Sequence, residues 1–367
     1  MKKFRDLPTP CLVLDLERFE SNLDKMSRFV TGRAVALRPH TKTHKCPQIA
    51  RRQIARGAIG VCVATIAEAE VMVRNEIEGL LITAELVGQP KLSRFVDVLK
   101  RAPDTMLVVD STEGVSELQH AVQRPGLQAA VLIDLDIGQN RTGIKPGEPA
   151  RALADAIAHS ANLRLKGICA YAGHVAHASG FEARRQKSTD AISQALETRD
   201  LLRRAGHDVP ILSVGSTGTY NIDSHIAGVT EIQAGSYVFM DVEYRQIGSA
   251  TENIYADFSP ALTVLATVIH RSQGKAIVDA GLKAFATDRP FGPEPLDVSG
   301  LKYEFAGDEH GRLIVENPSQ PITLGDKLRF MLPHCDPNVN LYDRIHCIQG
   351  DDVVDVWSIM DRSGGYF

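Results

Sequence analysis

The sequence has no apolar run of membrane-spanning length; runs such as Ala129 to Leu135 fall far short of the roughly 20 residues a helix needs to cross a bilayer. Met1-Lys2-Lys3-Phe4 is followed by no apolar signal core, so neither a membrane span nor a secretory leader is expected, and the expected compartment is the cytoplasm. Charge of one sign is not in excess. With 41 basic against 45 acidic residues the formal net charge is -4, which gives no reason to expect nucleic acid as a partner. The six cysteines, at 11, 46, 62, 169, 335 and 347, lack paired metal-ligand spacing and read as buried, reduced thiols. A GxGxxG turn, a low-complexity segment and a long charge run are also missing.

What is present is alternation. After Thr9-Pro10 come an extended apolar run, Cys11 to Asp15, and a helical pattern from Leu16 to about Val30. Short β-rich runs then appear at about 34–38, 59–63, 80–83, 106–109, 129–134, 163–170, 210–214 and 228–233, and each of the first seven gives way to a helix-like segment. Eight βα units in roughly 200 residues imply a parallel sheet closed as a (β/α)8 barrel of the TIM type. An open doubly wound sheet fits less well, because eight units exceed its usual six.

Beyond Asp241 the texture changes to β-branched runs at 262–270, 276–279, 313–316, 327–332 and 353–357, separated by Gly, Pro and Asp, with no helical periodicity. The expected organisation is a barrel over residues 10–245 and an all-β domain over 246–367 that residues 1–9 can join, the boundary lying near Tyr244 to Asp257.

In such barrels functional groups follow the C-terminal strand ends, and a phosphate site often forms after strands seven and eight. Counting the run at 34–38 as the first strand, Lys42 follows it in the segment Leu37 to Lys45, Arg141 follows the fifth, and Tyr171, His174 and His177 follow the sixth. Gly215-Ser216-Thr217-Gly218-Thr219 follows the seventh and Gly235-Ser236-Tyr237 the eighth. Small-residue turns offer N–H groups and hydroxyls to an anion, so Gly218, Thr219, Gly235, Ser236 and Tyr237 are the candidate phosphate cup. A lysine amine whose pKa is lowered by partial burial and by neighbouring cations, here Arg38, Lys45 and whatever charge His40 and His44 carry, forms a Schiff base with a carbonyl. Lysine and phosphate cup together point to pyridoxal 5′-phosphate (PLP), with Arg141 available to its phenolic oxygen or to a substrate carboxylate. Of the two histidines His177 is the one expected to be essential, as a base or ligand on a helical turn.

In the second domain the cluster Pro333-His334-Cys335-Asp336-Pro337 follows a strand. Read as extended chain, His334 and Asp336 point the same way and Cys335 the other. A nitrogen and oxygen pair completed by water suits Mn²⁺ or Mg²⁺, whereas His334 with Cys335 would suit Zn²⁺; the bland reading is a turn capped before Pro337.

Thr9-Pro10 with Leu14-Asp15, Arg38 to Lys45, Glu231 to Tyr237, Asp279 to Lys283, Asp308 to Gly311 and Pro333 to Pro337 together resemble the D-threonine aldolase group, allied to eukaryotic-type D-serine dehydratases among the alanine-racemase-like PLP enzymes. The resemblance implies a PLP barrel plus a β domain, a cofactor lysine matching Lys42, a tyrosine near the pyridine nitrogen matching Tyr171, and a catalytic histidine matching His177. It also implies a divalent metal on His334 and Asp336, since the aldolase branch reads His-x-Asp where the dehydratase branch reads His-x-Cys. The turn Val214 to Thr219 and the run Val63-Ala64-Thr65 depart from the family's usual residues and leave substrate specificity open. The implied activity is cleavage of D-β-hydroxy-α-amino acids to glycine and an aldehyde by a homodimer. The rivals are a D-serine or D-threonine dehydratase, a D-3-hydroxyaspartate aldolase, an amino-acid racemase and a non-catalytic PLP-binding protein.

Overall fold

The computed structural model describes residues 2–362; residues 363–367, expected at the end of the β domain, lie outside them. The first strand, β1 (Cys11–Asp15), is followed by the helix Leu16–Val30. Eight parallel strands come next: β2 (Ala36–Leu37), β3 (Val61–Val63), β4 (Leu80–Ile82), β5 (Met106–Val109), β6 (Ala129–Asp134), β7 (Leu163–Ala170), β8 (Ile211–Val214) and β9 (Glu231–Ile232). They lie in the order β2-β9-β8-β7-β6-β5-β4-β3.

The two ends of that order also meet. His40 and Cys62 form a parallel bridge, and the N–H groups of Ile59 and Cys62 donate to the carbonyls of Leu37 and Pro39, each at 2.9 Å. The barrel expected from the eight βα units is therefore closed. Strands β3, β4 and β5 are short and wholly buried, as parallel strands covered on both faces must be. Cys62, Leu81, Met106, Val108, Leu132 and Cys169 form one apolar cluster across β3 to β7. The helix Ile66–Arg74 shows how a connection is started. Thr65 caps it by accepting from the Glu68 N–H at 3.1 Å, and Glu68 reaches back to the Ala64 N–H at 2.7 Å.

The barrel floor is tied by charge. Arg38, on the chain just past β2, makes a two-point pair with Glu231 of β9, Nε to Oε2 at 3.0 Å and Nη2 to Oε1 at 2.8 Å, with both side chains buried.

The β unit holds β1 together with β10 (Leu262–Ser272), β11 (Lys275–Val278), β12 (Glu294–Pro295), β13 (Leu301–Phe305), β14 (Gly311–Val315), β15 (Lys327–Met331), β16 (Arg344–Gln349) and β17 (Asp352–Ser358). The path is β13-β14-β11-β10-β1-β16-β17, with β15 paired to β10 and β12. β1 is thus an interior strand, antiparallel to β10 and parallel to β16.

This placement differs from the expected division at residues 10 and 245. The β unit comprises residues 2–26, 43–46 and 236–362, and the barrel unit comprises 27–42 and 47–235. Hydrophobic pattern reveals that Cys11 to Asp15 is extended but not which sheet it joins. The motif residues Thr9 and Asp279 act here: Thr9 Oγ1 donates to Asp279 Oδ2 at 2.5 Å, and Asp279 Oδ1 accepts from the Thr267 N–H at 2.7 Å. Strands β12, β13 and β16 were not expected from the sequence, nor were the short helices Val242–Arg245 and Cys335–Val339.

Candidate active site

Lys42 stands in a single 3-10 turn, Thr41–Thr43, past the C-terminal end of β2 and is half-buried. Its main-chain N–H donates to His40 Nδ1 at 3.3 Å, and His40 Nε2 lies 3.0 Å from Thr83 Oγ1. Thr83 Oγ1 in turn donates to the Val63 carbonyl at 3.1 Å. Since Nδ1 accepts, Nε2 carries the proton, and His40 acts as a neutral strut from the Lys42 turn to the end of β4.

The cations expected around Lys42 are mostly spent elsewhere. Arg38 is neutralised by Glu231, His44 Nδ1 accepts the Cys46 N–H at 3.0 Å, and Lys45 donates to Asn340 Oδ1 and the Asp361 carbonyl within the β unit. Sequence neighbours on a tight turn point apart, so a crowd of charges in the sequence does not become one in space.

Tyr171 supplies what the sequence alone leaves separate. The Lys42 Nζ lies 5.9 Å from the centre of its ring, and the Arg141 Cζ lies 5.6 Å from it. The loop carrying Arg141 is pinned by Asp136, whose Oδ1 accepts from the N–H groups of Gly138 and Asn140 and whose Oδ2 pairs with Lys145 at 2.8 Å. Lys145 and the two loop N–H groups lower the Asp136 carboxyl to about 2. Gln139 joins this loop to the next by accepting the Gly173 N–H at 3.0 Å. A Cβ at Gly173 would fall 2.5 Å from Tyr171 Cε1, so the close approach requires glycine there.

His174 lies within a four-residue helix, Gly173–Ala176, and His177 caps its C-terminal end. His174 is exposed, and His177 closes the turn with its Nε2 buried.

The turn after β8 is buried and internally braced. The Ser216 N–H donates to Thr219 Oγ1 at 3.1 Å, Thr219 Oγ1 donates to Asp223 Oδ2 at 2.6 Å, and the Thr219 N–H closes on the Ser216 carbonyl at 3.3 Å. Arg184 holds the Gly218 carbonyl at 2.8 Å. Burial pushes the Asp223 carboxyl up to about 6, against the Ser188 and Thr219 hydroxyls that favour its charged form. Thr219 therefore shapes the turn, and its own hydroxyl is committed to Asp223. Gly215 sits at φ +84°, and a Cβ there would meet Ile232 Cγ2 at 2.9 Å; one at Gly235 would meet the His40 carbonyl at 2.6 Å. A half-buried amine, a guanidinium on the same aromatic ring, and a glycine-lined turn of small polar residues fit a phosphorylated aromatic aldehyde.

A further group on the barrel's strand ends was not anticipated. Glu85, past β4, hydrogen-bonds to Asp134 at the end of β6, which requires the two carboxyls to share a proton. Burial is the main cause raising both, and it takes Glu85 up to about 8. Thr142 donates to Asp134 Oδ2 at 3.0 Å, and Gly143 donates to Asp110 Oδ2 at 3.2 Å.

In the β unit, Ser236 and Tyr237 open a 3-10 turn, Ser236–Val238, in which the Ser236 carbonyl accepts from the N–H groups of Phe239 and Met240. Tyr237 is buried with its ring centre 5.5 Å from that of Phe258.

The cluster at residues 334–336 is not extended. His334 is the N-cap of the helix Cys335–Val339, with Asp336 in its first turn, so the alternation expected of a strand does not apply. A proline is tolerated within the first turn and an acid there favours the helix, which is too short to register as a period. Cys335 is fully buried, its Sγ set against the Met240 carbonyl and its N–H given to Asp241 Oδ2 at 2.9 Å. Its Sγ is thereby turned to the Met240 carbonyl. His334 Nδ1 lies 2.7 Å from Asp288 Oδ2, which turns Nε2 to other use. Among the described residues no group of three or more His, Cys, Asp or Glu is gathered for a metal. One imidazole nitrogen and one carboxylate on a single turn fit a hard divalent ion that keeps open positions for water or substrate.

A closed parallel barrel bearing such a lysine, followed by an antiparallel sheet, defines the alanine-racemase-like class. Residues 14–243 match the family model described as alanine racemase, N-terminal domain, and residues 261–348 match the putative serine dehydratase domain. The chain belongs to the D-threonine aldolase and D-serine dehydratase-like family of that class. It is 37% identical to a D-threonine aldolase of Arthrobacter sp over 356 residues, covering 96% of this chain and 92% of that protein. It is 33% identical to a 3-hydroxy-D-aspartate aldolase of Paracoccus denitrificans (strain Pd 1222) over 365 residues, covering 98% and 94%. The crystal structure of D-threonine aldolase from Filomicrobium marinum superposes with a TM-score of 0.95 at 35% identity and full coverage of both chains. A D-threo-3-hydroxyaspartate dehydratase from Delftia sp. HT23 matches with a TM-score of 0.86 at 30% identity, covering 98% of this chain and 99% of that one. Among the described residues no helix is long and apolar enough to cross a membrane.

Proposed function

We propose that this chain is a PLP- and divalent-metal-dependent lyase that cleaves D-β-hydroxy-α-amino acids of the D-threonine type to glycine and an aldehyde. The observation that carries the reading is the meeting of Lys42 and Arg141 on the ring of Tyr171, in a chain similar along almost its whole length to two aldolases.

Lys42 would hold the cofactor through Nζ, with Tyr171 and Arg141 flanking its ring. Gly218 would offer its N–H to the phosphate from a turn shaped by Thr219, and Gly235, Ser236 and Tyr237 are the remaining phosphate candidates. His334 and Asp336 would hold the metal, with Mn²⁺ or Mg²⁺ the proposed ion. Bound, PLP supplies an electron sink for the pair left on Cα, and a divalent ion supplies a Lewis acid that makes a hydroxyl easier to deprotonate. His177 is proposed to take the β-hydroxyl proton on an imidazole nitrogen, and the buried position of its Nε2 at the end of a short, glycine-started turn supports a fixed orientation. The homodimer is proposed on the family resemblance.

The test is product analysis with D-threonine, D-3-phenylserine and D-3-hydroxyaspartate in the presence of PLP and Mn²⁺. Glycine with the matching aldehyde is expected. Ammonia with a 2-oxo acid would replace this reading by dehydration, and absence of any product would remove it.

A further inference from the structure

We propose that Asp288 is a positioning residue that fixes the tautomer and heading of His334, and that Arg289 and Glu243 hold Asp288 in place for that task. This rests on the reading of His334 and Asp336 as metal ligands.

Asp288 Oδ2 lies 2.7 Å from His334 Nδ1. An ionised aspartate carboxylate is only an acceptor, so Nδ1 must carry a proton, and in the neutral ring Nε2 is then left with its lone pair outward. That is the tautomer a metal needs, and hydrogen bonds of this kind orient ligating imidazoles generally.

The same carboxylate is held from a second side. Arg289 Nη1 lies 3.1 Å from Asp288 Oδ2, while Arg289 Nε and Nη2 reach Glu243 Oε1 and Oε2 at 2.7 and 2.9 Å. Glu243 Oε2 is 4.0 Å from His334 Nε2, beyond hydrogen-bond distance. Glu243 is engaged by Arg289 instead, through the ion pair at Nε and the hydrogen bond from Nη2, leaving Asp288 as the carboxylate that faces the ring at hydrogen-bond distance. Asp241, buried beneath the turn, points both oxygens at main-chain N–H groups, those of Tyr244 and Cys335, and does not compete.

The loop bearing Asp288 is also fastened to the turn bearing His334. Asn338 Nδ2 donates to the His334 carbonyl at 2.6 Å, and its Oδ1 accepts the Ala286 N–H at 3.1 Å. Tyr342 OH donates to the Ala284 carbonyl at 2.8 Å. The carboxylate and the imidazole are thus set on two segments fastened to each other by Asn338, four residues from His334, and by Tyr342.

The experiment measures Mn²⁺ affinity of the full chain by competition with a chelator, for the wild type and for Asp288→Ala, Asp288→Glu and His334→Ala, alongside thermal unfolding without metal. Asp288→Ala is expected to bind Mn²⁺ about 10–100-fold more weakly at an unchanged unfolding midpoint, with much of the loss recovered in Asp288→Glu. Wild-type affinity in Asp288→Ala combined with loss in His334→Ala would overturn the inference alone. Equal affinity in the wild type and His334→Ala would overturn the metal reading and the inference with it. Independently of any variant, ¹⁵N spectra of the metal-free protein at a pH where the ring is neutral are expected to show His334 protonated on Nδ1; protonation on Nε2 would overturn the inference.

Discussion

The main-chain N–H of Lys42 is held by Nδ1 of His40, and His40 is held in turn by Thr83 at the end of the next-but-one strand in sequence. The lysine's turn is therefore set by a neutral imidazole braced across the barrel's closing seam, since His40 also bridges to Cys62. His40→Ala removes both of these hydrogen bonds, of which the one to the Lys42 N–H acts directly on the lysine's turn. We expect a loss of about 1 kcal/mol, or roughly fivefold in turnover, whereas Lys42→Ala should abolish both turnover and the cofactor's bound absorbance. Steady-state glycine formation and absorbance titration separate the two.

Gly235→Ala would place a methyl 2.6 Å from the His40 carbonyl. Main chain cannot yield as a flexible side chain can, so the variant should bind PLP at least about tenfold more weakly through displacement of the Lys42 turn. Fluorescence titration with the cofactor checks this.

Glu85 gives a pH dependence with a definite sign. Its carboxyl is raised from an ordinary 4.5 to about 8 in the fold, first by burial and then by the charges of Asp134 and Asp110. Between these values the unfolded chain is ionised at Glu85 while the folded chain keeps the proton, so stability falls as pH rises through that window and levels off above it. Arg141 and Cys169 border the pair, so its charge is felt by several groups together. Glu85→Gln keeps a donor toward Asp134 and should flatten the decline, as read from unfolding midpoints across the same range.

The pair Arg38 and Glu231 is buried on both sides. Removing one partner strands the other charge, so Glu231→Ala should destabilise the protein by about 3–5 kcal/mol. Thermal unfolding would detect it, and prolonged treatment with chelator should leave that midpoint change unaltered.

Chelation is expected to abolish turnover and Mn²⁺ to restore it in the wild type. In His334→Ala restoration should fail at metal levels that saturate the wild type. Turnover that is indifferent to chelator would count against the metal.

Much of this fold is written in local sequence. Runs such as Met106 to Val109 and Ala129 to Asp134 are strands at the residues their composition marks, because buried parallel strands are uniformly apolar. The placement of Lys42, Arg141 and Tyr171 after strand ends was equally legible, since barrel topology fixes which end a loop occupies. What was not legible depends on partners distant in sequence. The carboxylate that meets His334 is 46 residues away, and Glu85 and Asp134 are individually unremarkable acids until two strand ends bring them together. The helix at Cys335 was hidden for a different reason: five residues are too few for a period to declare itself.

The interior position of β1 has a consequence for how the chain comes into being. A ribosome releases Cys11 to Asp15 long before β10 and β16, the neighbours on either side, so the central strand of the β unit waits through the synthesis of the entire barrel. No contiguous excision can yield the β unit intact, and trimming the first fifteen residues would damage the sheet that carries His334, more than 300 positions downstream in translation, before it touched a single barrel strand.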